Sequence, residues 1–154
     1  MLQDRTTPDG VRRLLVHRGK VYVASTNGAI YRADATGGDF DYFSCFCFFN
    51  IQMLRTDRGH LVIADEFSTV ARIDLATGQV VAAFSLFGSE IAEVHEGRLL
   101  LYYDGGVIPL ASAWTGQILG GQWQAPEQVS AMLVVRERGR PTAAPRSGSG
   151  LKMP

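Results

Sequence analysis

The side chains best suited to bind a ligand follow apolar, strand-like runs. Asp65 and Glu66 follow LVIA, and Asp104 follows LLLYY. Their carboxylate oxygens could hold a cation or the charged groups of a basic peptide. Thr26 and Asn27 occupy the corresponding place after VYVAS, so the candidate ligand-binding residues are Thr26, Asn27, Asp65, Glu66 and Asp104. The alternative interpretation is that these residues are polar only because turns face water.

Cysteines and histidines could provide metal or nucleophilic chemistry, but their spacing does not favour it. Cys45 and Cys47 would share one face of a strand about 7 Å apart, which is too far for a disulfide and is only half of a metal site. His17, His60 and His95 fall in three different repeats. No G-x-S-x-G, P-loop, H-E-x-x-H or C-x-x-C motif occurs. The sequence therefore predicts no catalytic residue, no metal and no cofactor.

The segment DYFSCFCFFN, residues 41–50, combines five aromatic residues with the two cysteines. Reduced, buried thiols are expected there, in keeping with a reducing compartment. The aromatic side chains could form a contact between repeats or an exposed patch used for oligomerisation. The sequence favours the first of these two interpretations.

The net charge of zero conceals an uneven distribution of charged residues. Residues 1–135 carry 10 basic and 14 acidic side chains, whereas residues 136–154 carry five basic side chains and one acidic side chain. The basic excess lies in a segment rich in Pro, Gly and Ser, which is predicted to be a disordered tail over residues 140–154. A nucleic-acid-binding surface would instead need clustered Lys and Arg on the folded part, so none is predicted.

The N-terminal residues contain no apolar leader, and no run of about 18 apolar residues occurs. A cytoplasmic location without membrane contact is the expectation.

Internal repeats determine how the elements are arranged. Three segments align, at residues 14–38, 53–79 and 92–117, and a fourth begins at residue 131. Gly19, Gly59, Gly97 and Gly139 are spaced by 40, 38 and 42 residues, and the Thr-Gly pairs at Thr36, Thr77 and Thr115 by 41 and 38. Two independent spacings that agree indicate true repetition.

Within each copy the apolar residues alternate with period two, as they do in half-buried strands. Each copy predicts two strands joined by a tight turn, a third strand after a second turn, and an outer strand carrying Phe43, Phe84 or Trp123. Four antiparallel strands in about 40 residues correspond to one propeller blade. The predicted fold is all-β, a partial β-propeller of about three four-stranded antiparallel blades plus the first strand of a fourth.

The run YRADATG at residues 31–37, echoed by ARIDLATG at residues 71–78, resembles the pyrroloquinoline-quinone-like β-propeller repeat. The third copy departs from this pattern, with Ser112 at the aspartate position and Pro109 inside a strand, which suggests an edge or a bulge. Asp34 and Asp74 are interpreted as turn caps, and the outer aromatic residue as a wedge between blades. The residues of the structural signature are Gly19, Asp34, Gly37, Gly59, Asp74, Gly78, Gly97 and Gly116.

The predicted domain covers residues 1–139, with blades at about 12–50, 51–90 and 91–129 and a partial fourth at 130–139. Closed propellers have four to eight blades, so an open array is expected to self-associate or to bind a protein partner. The leading functional prediction is a noncatalytic interaction or scaffold module. The alternatives are a propeller enzyme, similar to quinoprotein dehydrogenases or to lyases and lactonases, and a fragment of a longer propeller protein.

Overall fold

The computed structural model describes residues 10–45 and 50–125. These residues form three antiparallel sheets of four strands each, and they contain no helix. The strands are β1 Val11–His17, β2 Lys20–Ser25, β3 Ala29–Asp34, β4 Asp41–Cys45, β5 Ile51–Asp57, β6 His60–Asp65, β7 Thr69–Asp74, β8 Val80–Ser85, β9 Ser89–His95, β10 Arg98–Tyr103, β11 Val107–Ser112 and β12 Ile118–Gln124. Each sheet is a simple meander, so β1–β4 form blade 1, β5–β8 blade 2 and β9–β12 blade 3. The prediction of three four-stranded blades is confirmed.

Several predictions concern residues outside the described ranges. These are the opening strand of a fourth blade at 130–139, the tail at 140–154, and the residues Phe46, Cys47, Phe48 and Phe49. Cys45 is half-buried at the end of β4.

The first hairpin of every blade uses the same two-residue turn. The first turn residues Arg18, Arg58 and Glu96 have φ values of 47°, 47° and 48°, and the glycines that follow them have φ values of 74°, 77° and 76°. Positive φ at both central positions is the mark of a type I′ turn, whose twist matches that of the two strands it joins. The X-Gly dipeptides therefore fix the register of the first two strands of each blade.

The sheets stack through their faces, with blade 2 in the middle. We call the side of a blade that is turned toward the preceding blade its back face, and the side turned toward the following blade its front face. One apolar cluster joins the front face of blade 1, including Tyr22 and Ile30, to the back face of blade 2, including Leu61 and Ile73. A second cluster joins the front face of blade 2 to the back face of blade 3 and contains Val62 and Leu99. Both faces of blade 2 are thus buried.

Proline in the third blade is accommodated by an irregular pairing. Pro109 lies in β11, which is flanked by β10 and β12, so it is not in an edge strand. The register between β11 and β12 shifts between Ile108 and Leu110, on either side of the proline. Because proline has no backbone donor, the irregularity falls where a regular ladder would need one.

Candidate functional site

One side of the stack carries the turns between the second and third strands of each blade, together with the connections from one blade to the next. We call this side the loop face. In blade 2 the Leu86 N–H donates to the Ser68 carbonyl at 2.9 Å, and the Ser68 hydroxyl donates to the Ser89 carbonyl. These bonds hold the 66–68 turn against the 86–88 connection. Blade 3 repeats the arrangement, since the Ala125 N–H donates to the Gly106 carbonyl at 2.8 Å.

The five candidate ligand-binding residues all lie on the loop face, Asp65 at the end of β6 and the others in turns, but two of them bind backbone groups of their own loops. Asp65 Oδ1 accepts hydrogen bonds from the Phe67 and Thr69 N–H groups, each at 2.9 Å, and Asp65 is only 6% exposed. Asn27 Oδ1 accepts from the Ala29 N–H at 3.0 Å. Asn and Asp side chains commonly cap turns in this way. Asp65 and Asn27 therefore shape the loops that carry the other candidates.

The other three candidates are exposed to solvent. Glu66 Oε2 accepts a hydrogen bond from Asn50 Nδ2 at 3.1 Å, which ties the 66–68 turn to the connection from blade 1. The Thr26 N–H donates to the Gly10 carbonyl at 3.0 Å. Asp104 belongs to blade 3. The candidates thus share one side of the stack but are distributed over three blades.

Two exposed phenylalanines on the loop face were not recognised in the sequence as candidates. Phe87 is 87% exposed and Phe67 is 55% exposed. They lie next to Leu86 and Ser68, the pair whose backbone bond joins the two loops. The charged side chains of loop segments 65–69 and 86–90 are Asp65, Glu66 and Glu90, all acidic. The repeat alignment could have revealed Phe67 as unusual, because blades 1 and 3 carry Asn27 and Gly105 at the equivalent position of the turn.

On the opposite side of the stack, a buried ion pair connects blades 2 and 3. Arg72 is fully buried, and its Nη1 and Nη2 both donate to Asp57 Oδ2 at 3.1 Å. Asp57 also accepts from the Gly97 N–H of blade 3 at 3.0 Å. The Arg72 guanidinium lies 4.1 Å from the ring centroid of Trp114, also in blade 3. Burial lowers the pKa of Arg72, and the neighbouring Asp57 opposes this effect.

The signature aspartates have different partners. Asp74 Oδ1 accepts from the Ala76 and Thr77 N–H groups at 2.8 and 2.9 Å, the capping role expected of it. These backbone bonds stabilise the carboxylate and lower the pKa of Asp74. Asp34 instead forms an exposed ion pair with Lys20, directly opposite it on β2, and that hydrogen bond lowers the pKa of Asp34.

The glycine of the Thr-Gly turn lies against the aromatic residue of the preceding blade. A Cβ added to Gly78 would lie 2.5 Å from the backbone oxygen of Phe43, and one added to Gly116 would lie 2.6 Å from the Phe84 ring. Phe43 and Phe84 pack against the two clusters between blades, as the wedge prediction required. Trp123, the corresponding residue of blade 3, is 52% exposed.

Within the described residues, no group of three or more His, Cys, Asp or Glu side chains could hold a metal ion. His17 lies 3.3 Å from Thr56 Oγ1, and His60 packs edge-on against Trp114. The part of the chain that the structure describes also contains no helix long and apolar enough to cross a membrane.

A scan against protein-family models found no match, and a search of curated proteins also found none. Solved structures do match. The computationally designed protein Ika4 is 17% identical with a TM-score of 0.66, and the match covers 86% of this chain and 84% of Ika4. BamB from Moraxella catarrhalis is 18% identical with a TM-score of 0.61, and AztD from Citrobacter koseri is 14% identical with a TM-score of 0.60.

BamB and AztD are β-propeller proteins, and this chain matches 38% of the length of each. The likeness to them, together with the three stacked meanders, identifies the fold as a partial β-propeller. At these identities the likeness concerns the fold alone. No family model supports membership of the pyrroloquinoline-quinone-like repeat family, which stays a prediction.

Proposed function

We propose that this chain is a noncatalytic interaction module that binds a protein partner on its loop face, around Phe67 and Phe87. The observation that carries the proposal is the exposure of both rings on two loops that are hydrogen-bonded to each other. Single exposed apolar residues are ordinary on protein surfaces, whereas adjoining ones often mark interaction sites. Aromatic residues are also enriched where binding energy is concentrated.

The charges of these loops suggest the chemistry of the partner. Glu66 and Glu90 flank the two rings, and no Lys or Arg lies in segments 65–69 or 86–90. A peptide segment that combines an apolar side chain with Lys or Arg would complement this surface. Burial of one phenylalanine ring contributes about 1.5–3 kcal/mol, while rim charges act mainly on specificity and association rate.

The noncatalytic part of the proposal is supported by what the polar side chains already bind. Asp65 and Asn27 cap turns, Asp57 holds Arg72, and Asp74 caps its own turn. Groups engaged in this way stabilise the blades and their contacts. The exposed rings of Phe67 and Phe87 remain accessible to a partner, at 55% and 87% exposure.

The proposal can be tested by selecting phage-displayed random peptides on the purified protein. Peptides carrying Lys or Arg beside an apolar residue should be enriched. In fluorescence polarisation their dissociation constants should rise at least tenfold, a loss of about 1.4 kcal/mol, for Phe67→Ser or Phe87→Ser. Both rings are exposed, so the variants should fold like the parent protein.

Tyr42→Ser is the matched control, because it removes a ring that is 63% exposed but lies near the opposite end of its sheet. It should leave peptide affinity unchanged. Failure to enrich any peptide, or equal binding by the parent protein and both Phe variants, would show that the loop face is not the binding surface.

A further inference from the structure

Two nitrogen donors from different blades lie beside the backbone of Gly97, on the side of the stack opposite the loop face. We call this the hairpin side, because it carries the first turn of each blade. A Cβ atom added to Gly97 would lie 3.2 Å from Arg58 Nη1 and 3.8 Å from Trp114 Nε1. Arg58 belongs to the first turn of blade 2, and Trp114 precedes the Thr-Gly pair of blade 3. A guanidinium and an indole N–H therefore border the same space.

Neither of these donor groups is paired within the described part of the chain. Among residues 10–45 and 50–125, no hydrogen bond or ion pair involves the Arg58 guanidinium, and His60 Nδ1 instead lies 2.9 Å from the Arg58 carbonyl oxygen. The indole N–H of Trp114 has no hydrogen-bond partner in these residues either, although its backbone N–H donates to Ser112 Oγ. Arg58 is exposed, and Trp114 is 39% exposed. Both groups are thus available to a ligand.

The Trp114 ring is held in place by two side chains of blade 2. The Arg72 guanidinium lies 4.1 Å from the centroid of the indole ring. The His60 ring approaches the indole edge-on, with 4.8 Å between the ring centroids and an interplanar angle of 79°. A ring that is fixed before binding loses little conformational freedom when a ligand arrives.

The charges beside this space leave one guanidinium without a carboxylate. Burial lowers the pKa of Arg72, Asp57 opposes this effect, and the positive charge of Arg58 lowers the pKa further. Asp57 is paired with Arg72 and is only 8% exposed. Two neighbouring guanidinium groups therefore share a single carboxylate, which Arg72 occupies. An anion bound to Arg58 would balance the second positive charge.

Two other acidic side chains on the hairpin side of blades 2 and 3 have partners of their own. Glu96 Oε1 lies 3.9 Å from His95 Nε2. Asp74 Oδ1 accepts hydrogen bonds from the N–H groups of Ala76 and Thr77 in its own turn. Their negative charges also oppose the approach of a highly charged ligand. The surroundings thus suit a carboxylate, with one charge, better than a phosphate group with a charge of about −1.5 to −2.

We propose that Arg58 and Trp114 bind the carboxylate of an Asp or Glu side chain of a protein partner. One carboxylate oxygen accepts from the guanidinium and the other from the indole N–H, above the backbone of Gly97. Such charge-assisted hydrogen bonds are stronger than those between neutral groups. Trp and Arg are also enriched among the residues that dominate binding energy. This site is independent of the function proposed for the loop face, which lies on the other side of the stack.

The equivalent contact between blades 1 and 2 lacks this pair of donors. Arg18 occupies the position of Arg58 and has the same φ of 47°. However, a Cβ atom added to the equivalent glycine, Gly59, would meet nothing within 4 Å, so Arg18 does not lie over it. Ala76 stands where blade 3 has Trp114. The hairpin turn itself therefore does not require the arrangement found between blades 2 and 3, and Arg18 is a matched control for Arg58.

The test follows the two indole N–H signals of the ¹⁵N-labelled full chain by NMR spectroscopy. They come from Trp114 and Trp123, and the variant Trp123→Phe assigns them. Titration with the blocked tripeptide acetyl-Gly-Glu-Gly-amide at constant ionic strength should shift the Trp114 signal along a saturable curve. The Trp123 signal should not move, because this residue lies near the loop-face end of β12. The corresponding Gln tripeptide, which lacks the charge, should bind at least tenfold more weakly.

Two variants separate the site from the general charge of the surface. Arg58→Gln should raise the dissociation constant of the Glu tripeptide at least tenfold. Arg18→Gln removes the same charge from an exposed turn residue of the same φ and should leave the dissociation constant unchanged. Backbone amide signals that match those of the parent protein elsewhere in the spectrum show that both variants are folded.

Four results would overturn the proposal. A Trp114 signal that does not move with the Glu tripeptide means that this indole binds no carboxylate. Equal shifts with the Glu and Gln tripeptides mean that the charge is not recognised. Equal losses for Arg58→Gln and Arg18→Gln mean that the peptide responds only to net surface charge. Inorganic phosphate that binds more tightly than the Glu tripeptide would assign the site to a phosphate group.

Discussion

At the scale of single residues, glycines of the repeat signature have two separable roles. Gly59 and Gly78 have nearly the same backbone conformation, with φ values of 77° and 73°. A Cβ on Gly59 would meet nothing within 4 Å, whereas a Cβ on Gly78 would lie 2.5 Å from the backbone oxygen of Phe43. Gly59 therefore only permits a turn, while Gly78 also permits the close approach of two blades.

Gly78→Ala should accordingly destabilise the protein more than Gly59→Ala. Both variants carry the strain of positive φ, about 1–2 kcal/mol. Gly78→Ala adds overpacking against the backbone of the neighbouring blade, which costs about 1–3 kcal/mol. Urea denaturation of the two variants and the parent protein measures the difference. Equal losses of the free energy of unfolding would mean that the contact between Phe43 and Gly78 does not constrain this position.

The same residue at equivalent positions of two repeats does not form the same side-chain contacts. Asp34 and Asp74 occupy the same place in the signature, but Asp34 pairs with Lys20 where the third repeat has Arg98 and the second has His60. The bond that an aspartate forms depends on the residue across the strand pair as well as on its own turn. The repeat pattern could locate these turns, but it could not assign the partners of their side chains.

At the scale of elements, the contact between blades 2 and 3 depends on the buried pair of Arg72 and Asp57. Arg72 lies on β7, Asp57 ends β5, and Asp57 also binds the Gly97 N–H in the turn between β9 and β10. Three elements of two blades are therefore held by one carboxylate. Removal of one member of a buried ion pair is costly because the other charge is left without compensation.

Asp57→Ala should lower the free energy of unfolding by about 3–5 kcal/mol. Adding Arg72→Met removes the uncompensated charge and should recover part of that loss, although the Gly97 N–H stays without its acceptor. Lys20→Met, in an exposed pair, is the control and should have a small effect. Chemical denaturation of the parent protein and the three variants measures these free energies of unfolding. If Asp57→Ala lost no more free energy of unfolding than Lys20→Met, the role given to the pair of Arg72 and Asp57 would be contradicted.

The strands themselves were predictable because their determinants are local. Period-two alternation and X-Gly turns set the meander of each blade, and the repeats set the number of blades among the described residues. The burial of Arg72 was not predictable in this way. Arg32 has the same position in blade 1 but is only partly buried, with its guanidinium over Phe43, because the residue equivalent to Asp57 is His17. Which arginine becomes buried depends on the side chain at the end of another strand of its blade, which the period-two pattern of a single strand does not describe.

At the scale of the whole molecule, the first strand of the stack differs from its equivalent in the middle blade, since Leu14 is 61% exposed and the equivalent Leu54 is 1% exposed. The first and fourth strands of every blade are edge strands, so open edges do not distinguish the end blades from blade 2. The repeats predicted that a stack of three blades would leave surface open. They could not show which surface, because Leu14 and Leu54 are indistinguishable until their neighbours are placed.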